Sequence, residues 1–448
     1  MSAERTIAAI ATPPGRGAIS IVRASGPGVR ALARRVVPEA RLRPHVAQYV
    51  AVLDAGGRAI DRGIALFARA PRSYTGEDTL ELHVHGSPVV ASEVLRALLA
   101  AGAQLAQPGE FTQRAFMNGK LDLHAAAAVA DLIDAETRSA ARAAFANLAG
   151  GLASEVRVLR AQLGTMLEEL AAAIDFPDEV PEPPRERLAA SLEALDFALR
   201  DMLRAGEVGR LVREGIAVAI VGPPNAGKSS LLNALLGEER ALVSDIAGTT
   251  RDTIEEAIVI DGVRVRIVDT AGIREHADRL EAAGIERTHH ALEAARVALI
   301  VVDASQPLTA GARALLEQTR DRARVVFANK ADLGDVAVAM LGGDADVVGS
   351  VRERGTLDAL RAAIARAGWA SERPDLERPH IASAREFAAV YEALEALENA
   401  RATLARGDAG DFIAGDLQAA FAVLGHISGD VANEEIVTGI FARFCIGK

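Results

Sequence analysis

The chain has 448 residues, half of them apolar, which exceeds one ordinary hydrophobic core and suffices for two or three domains. Its 50 Lys and Arg stand against 61 Asp and Glu, and the net charge of −11 opposes broad non-specific attraction to nucleic acid, so no DNA partner is expected and any RNA contact is local or shared with a partner. The single cysteine, Cys445, excludes an internal disulfide and points to a reducing compartment, the cytoplasm.

The opening MSAERTIAAIATPPG carries an acid and a short apolar run stopped at Pro13, unlike a secretory leader. No apolar run reaches the roughly 18 residues needed to cross a bilayer, so no membrane partner is expected. Residues 1–118 mix strand-like runs (AISIVRAS, GIALFARA, TLELHVHG) with Gly/Pro punctuation and one helical stretch, SEVLRALLAAGA, and read as a small α+β domain. Residues 119–213 change to alanine- and leucine-rich segments with charges at helical spacing, interrupted by PDEVPEPPRER, where clustered prolines remove backbone donors. Residues 214–376 alternate β-branched runs (IAVAIVG, EEAIVI, VRVRIVDT, ARVALIVVD, RVVFANK) with helices, the pattern of a mostly parallel, buried sheet. Residues 377–448 return to helical texture and end in FCIGK. The simplest arrangement is one discontinuous all-α helical domain with the α/β unit inserted between its two parts.

GPPNAGKS at 222–229 fits GxxxxGK[ST] between the strand IAVAIVG and the helical SLLNALL, the context that a phosphate-binding loop requires. Gly222 and Gly227 let backbone N–H groups turn inward, Lys228 reaches the β- and γ-phosphates, and the Ser229 hydroxyl is a Mg²⁺ ligand. DTAG at 269–272 closes VRVRIVDT, placing Asp269 near the Mg²⁺ shell and the Gly272 N–H near the γ-phosphate. NKAD at 329–332 ends the strand RVVFANK, where Asn329 and Asp332 can present an amide and a carboxylate to guanine; adenine would leave that carboxylate unpaired. Ser350, in VVGSVRERG, stands where a serine often backs the base, although Val351 follows it. GTTRD at 248–252 is placed as a nucleotide-sensing loop, with Thr250 completing the Mg²⁺ shell while γ-phosphate is present. The insert therefore reads as a Ras-like P-loop GTPase domain. Ile273 occupies the place where small signalling GTPases carry a water-orienting glutamine. Hydrolysis then needs either an acid from REHADRLEAAGIER or an internal cation, for which Asn225 is a candidate ligand.

With these motifs together, the chain resembles the MnmE (TrmE) family of tRNA-modification GTPases, of the TrmE-Era-EngA type. Outside the GTPase unit the resemblance rests on TPPGRGAISIVRASG (12–26), RSYTGEDTLELHVHG (72–86), QPGEFTQRAFMNGKLDL (107–123), IDFPDE (174–179) and FCIGK (444–448). It implies a homodimer joined by N-terminal domains, a flavoprotein partner, MnmG (GidA), carrying FAD in a hetero-oligomer, and modification of C5 of the wobble uridine of certain tRNAs with an aminomethyl or carboxymethylaminomethyl group. Nothing in the chain resembles a dinucleotide-binding GxGxxG, so FAD is expected on the partner alone. Carried onto matching positions, the resemblance implies a GTP-binding set of Asn225, Ala226, Gly227, Lys228, Ser229, Ser230, Ser244, Asp245, Ile246, Ala247, Gly248, Thr249, Thr250, Asp269, Thr270, Ala271, Gly272, Asn329, Lys330 and Asp332. It implies K⁺ held by Asn225, Ser244, Ile246 and Thr249, catalytic roles for Glu281, which positions the attacking water, and for Lys228 on the phosphates, and 5-formyltetrahydrofolate or a related one-carbon folate held by Arg23, Glu81, Lys120 and Lys448.

Blander readings stand beside these. Glu281 reads equally as a helix-surface acid, and Arg23, Glu81 and Lys120 as solvated charges. Cys445, between Phe444 and Ile446, is either a reactive thiol or a small buried hydrophobe. His83 and His85 share a strand face, yet no third ligand stands at metal spacing. The rival functions are a regulatory switch or ribosome-assembly factor, and a folate-dependent transferase with a regulatory GTPase.

Overall fold

The computed structural model describes residues 5–239, 256–268, 289–369, 378–428, 439–441, 444 and 446–447. In chain order its strands are β1 Ile7–Ile10, β2 Ile19–Ser25, β3 Ala47–Leu53, β4 Ala59–Ala68, β5 Thr79–His85, β6 Gln104–Leu105, β7 Ile216–Val221, β8 Glu256–Ile260, β9 Val263–Val268, β10 Val297–Asp303, β11 Arg324–Asn329 and β12 Val347–Val348. The helices are α1 Val29–Val36, α2 Pro88–Ala100, α3 Glu110–Met117, α4 Leu123–Ile133, α5 Arg138–Leu148, α6 Gly151–Asp175, α7 Arg185–Glu214, α8 Lys228–Glu239, α9 Ala310–Gln318, α10 Val336–Leu341, α11 Arg354–Trp369, α12 Ala384–Arg406 and α13 Gly410–Ser428. Two compact units result, one of residues 1–130, 147–199 and 384–448, the other of 131–146 and 200–383.

In the first unit a mixed sheet runs in the order β3-β4-β5-β2-β1-β6. The alternation of β2 and β5 sends Val22, Ala24, Leu80, Leu82 and Val84 to one face, where α1 and α2 cover them with Val29, Leu32, Val94 and Leu98. The opposite alternation leaves Arg23, Glu81 and His83 on the other face, and the β2–β5 register sets Arg23 directly across from Glu81. The helical part of this unit packs α6 against α13 and α12 against α13. The Arg160 guanidinium lies 4.3 Å from the centre of the Phe421 ring and its Nε donates to the Phe421 carbonyl at 3.2 Å. A buried ion pair joins α4 to α12, with His124 Nδ1 2.8 Å from Glu386 Oε1 and both side chains 1% exposed. On the same helix α4, Ala126 and Val129 join Phe441 and Phe444 in one apolar cluster, and Gly447 lies against the backbone of Ile10 and Ala11.

The second unit holds a sheet in the order β12-β11-β10-β7-β9-β8, parallel except for the β8–β9 hairpin. Every residue of β7 is buried, as befits a strand covered on both faces. One face packs on α8 and α11 through Leu231, Leu235, Leu360 and Ile364, and the other carries Ala291, Leu292, Ala312 and Leu341. Thr309 caps α9 by accepting a hydrogen bond from the Ala312 N–H. The molecule is thus multidomain, with an α+β N-terminal part, helices drawn from both flanks, and an inserted α/β nucleotide fold. Among the described residues no helix is long and apolar enough to cross a membrane.

Candidate functional site

At the C-terminal edge of the parallel sheet, the end at which open α/β sheets take ligands, β7 runs into the loop 222–227 and α8 begins at Lys228. The glycines are steric requirements here. A Cβ on Gly222 (φ +151°) would stand 2.2 Å from the Val301 carbonyl oxygen, and one on Gly227 (φ +99°) 2.3 Å from Asn329 Nδ2. The Lys228 ammonium donates to the Gly222 and Pro223 carbonyls at 2.8 and 2.9 Å, so it lies over the loop, and burial pushes its pKa below the ordinary lysine value. Ser229 and Ser230 sit exposed on the first turn of α8, where a hydroxyl can enter a Mg²⁺ shell. Asn225 is exposed and adopts φ +64°.

In the NKAD segment the Asn329 amide is held by the protein on both of its polar atoms. Asn329 is only 1% exposed. Its Nδ2 donates to the Ala226 carbonyl at 2.9 Å and its Oδ1 accepts from the Val351 N–H at 3.2 Å, so the amide latches the phosphate loop to the base-binding edge. Asp332 is exposed and accessible to a base. Lys330 (φ +64°) donates to the Asn225 carbonyl and to Asp303 Oδ2, both at 2.7 Å. Burial would raise the Asp303 pKa, but hydrogen bonds from Lys330 and Ser305 and the Lys330 charge outweigh it and hold the carboxyl below its usual range. Asp303 and the Val351 N–H are site components that the motif search misses, although a carboxylate ending the run ALIVVD was a visible signal. Ser350 is buried behind this edge, 3% exposed. Ser244, Asp245, Ile246, Ala247, Gly248, Thr249, Thr250, Asp269, Thr270, Ala271, Gly272 and Glu281 lie outside the described residues.

A second polar cluster forms in the N-terminal sheet. Arg23 Nε and Nη2 each lie 2.8 Å from Glu81 Oε1, and His83 Nε2 lies 3.2 Å from Glu81 Oε2. Burial works to raise the Glu81 pKa, but the Arg23 charge and the hydrogen bonds from His83 and Arg23 prevail and keep it low. The Arg23 guanidinium is flanked by the rings of Tyr74 and Phe111, at 5.7 and 5.6 Å. Tyr74, whose hydroxyl pairs with Thr112 at 2.9 Å, and Phe111 were not singled out in the sequence. Lys120 Nζ donates to the Pro71 carbonyl at 3.2 Å, on the loop that leads to Tyr74. Arg23 and Glu81 are therefore brought together with Lys120 nearby, while Lys448 and Cys445 lie outside the described residues. His83 and His85 bind different carboxylates, Glu81 and Asp61, and no metal-binding cluster of three His, Cys, Asp or Glu occurs among the described residues.

A family model described as the MnmE helical domain matches residues 123–445, and one described as the GTP-binding protein TrmE N-terminus matches residues 6–120. The chain belongs to the MnmE family of tRNA modification GTPases. The family's tRNA modification GTPase MnmE from Symbiobacterium thermophilum is 43% identical over 99% of this chain and 100% of its own length. The MnmE proteins of Chloroflexus aurantiacus and Aquifex aeolicus are 43% and 41% identical, each over 99% of both chains. Among solved structures, a variant of Aquifex aeolicus Era bound to GDP.AlF4− is 26% identical over 40% of this chain and 66% of its own, with a TM-score of 0.27.

Proposed function

We propose that this MnmE-family GTPase couples GTP hydrolysis to modification of C5 of the wobble uridine of certain tRNAs, adding an aminomethyl or carboxymethylaminomethyl group. The observation that carries the reading is the joining of Lys228, Asn329 and Lys330 at one sheet edge, within a chain matched end to end by tRNA modification GTPases. The second cluster supplies the other half. The Arg23 guanidinium and Glu81 carboxylate, walled by Tyr74 and Phe111, suit the flat, hydrogen-bonding ring and anionic tail of a one-carbon folate, with Lys120 and Lys448 at its margin.

Ser229 and Thr250 would hold Mg²⁺, which neutralises charge developing on the phosphates. Asn225, with Ser244, Ile246 and Thr249, would hold K⁺ as GTPase domains of two copies dimerise, and Glu281 would orient the water. FAD belongs to the flavoprotein partner MnmG (GidA), and the cytoplasm is the setting that the single cysteine favours. We place the domain boundaries at 118/119, 213/214 and 376/377.

The test is GTP turnover by the purified chain at equal ionic strength in potassium and in sodium chloride, followed by analysis of wobble uridine in tRNA from cells with and without the gene. Faster turnover in potassium and loss of the modified base on deletion are expected. Equal turnover in both salts removes the cation mechanism, and unchanged tRNA moves the chain to the regulatory class.

A further inference from the structure

Acidic as the chain is overall, its basic residues outnumber its carboxylates over residues 1–118, and the cations of that stretch are all arginines. The structure gathers part of this excess into a strip. Arg30 and Arg34 stand one turn apart on α1, hence on one face. The Arg30 guanidinium lies 5.4 Å from the centre of the Phe67 ring, and its Nε donates to Asp78 at 2.8 Å. The loop carrying Arg43 is tied to the same residue, since the His45 N–H donates to the Phe67 carbonyl at 2.7 Å and Pro44 bridges to Phe67. Arg69 follows the end of β4, and the Arg72 N–H donates to the Arg69 carbonyl at 2.8 Å, so one tight turn presents both. From Pro71 the strip passes to Lys120, and so toward Tyr74 and the Arg23–Glu81 pair.

Arg34, Arg43, Arg69 and Arg72 are exposed and have no carboxylate partner among the described residues. Asp78, within the strip, is committed to Arg30 and to the Ala70 N–H. Unpaired arginines around one strand end, in a molecule whose remainder is acidic, favour a polyanion whose charges are regularly spaced. Guanidinium forks match phosphate oxygens geometrically.

The geometry points to this strip as the surface by which the chain holds the sugar–phosphate backbone of its tRNA, aligning the RNA beside the Tyr74, Arg23 and Glu81 cluster. This rests on the tRNA-modification reading. Backbone contacts of this kind set register rather than sequence choice, and base recognition lies elsewhere.

The test measures binding of an unmodified tRNA transcript to the full-length chain by fluorescence anisotropy across a salt series. The variant carrying Arg34→Ala, Arg43→Ala, Arg69→Ala and Arg72→Ala is expected to bind at least about tenfold more weakly, with the log–log salt slope reduced by about one for each arginine that meets phosphate. Arg62→Ala, an equally exposed arginine toward the other end of β4, is the matched control and keeps wild-type binding. Retention of wild-type affinity and slope by the fourfold variant overturns the assignment, as does a wild-type chain that binds no tRNA. Competition by poly-glutamate as strong as that by tRNA at equal charge overturns it in favour of an acidic polypeptide. None of these results touches the modification reading, which stands or falls on the wobble uridine itself.

Discussion

Asn329 and Ala226 are joined across the nucleotide site, with Nδ2 of Asn329 donating to the Ala226 carbonyl at 2.9 Å while its Oδ1 accepts from the Val351 N–H. Replacing Asn329 by Ala strips partners from two groups at a buried position, at about 1–3 kcal/mol for each group left unsatisfied. GTP and GDP affinity should both fall by about tenfold or more, together with the melting temperature of the GTPase unit. Fluorescent-nucleotide titration and a thermal melt check this. An amide that served the base alone would lower affinity and leave the melt unchanged.

Asp303 should couple the site to acid. Its pKa is lowered in the folded chain, so its contribution is present above the ordinary value of 3.8 and disappears as pH falls through its folded value, below 3.8. Asp303→Asn should therefore lower stability at neutral pH and flatten the acid limb of the unfolding curve in that window. An acid limb identical to that of the parent chain would exclude a contribution from this pair.

The buried His124–Glu386 pair has the opposite sign. Burial would lower the His124 pKa, but the Glu386 charge and hydrogen bond, helped by Asp122 and Asn147, prevail and raise it. The stabilisation is thus complete below pH 6.5 and is lost as pH rises through the folded pKa above that value. Removing one partner of such a pair costs about 3–5 kcal/mol. Glu386→Ala should unfold the helical part more easily at pH 6, and the gap between variant and parent should narrow toward pH 9 in paired denaturant titrations.

Arg23→Lys keeps the charge but loses the guanidinium that Tyr74 and Phe111 flank and that meets Glu81 through two nitrogens. Folate binding, followed by calorimetry, should weaken by about tenfold or more with GTP turnover unaltered. Unchanged folate affinity would place that ligand away from this cluster.

The sequence shows features whose determinants are contiguous. The phosphate loop was legible because strand, glycines, lysine and helix follow one another in GPPNAGKS, and the parallel sheet because IAVAIVG and ALIVVD are apolar without interruption. Asn329 as a latch was not legible, since its partner Ala226 lies in a different loop and only the β7–β10–β11 order brings the two together. The pairing of Arg23 with Glu81 depends on the register of β2 against β5, which neither strand specifies alone. Edge strand β3 escaped notice although Pro44 and Gly56-Gly57 flank it, because AQYVAVL is apolar at successive positions and its alternation of buried and half-exposed residues emerges only in the folded sheet.

The contact of α6 with α13 has a consequence for how the molecule comes to be folded. The two helices face each other through Arg160 and Phe421, yet the whole nucleotide-binding sheet lies between them in the chain. A folded insert whose ends lie close presents little closure entropy to that pairing, whereas an unfolded one becomes a long loop whose cost grows with the logarithm of its length. Ligands that favour the ordered insert by mass action therefore also strengthen the helical pair without touching it.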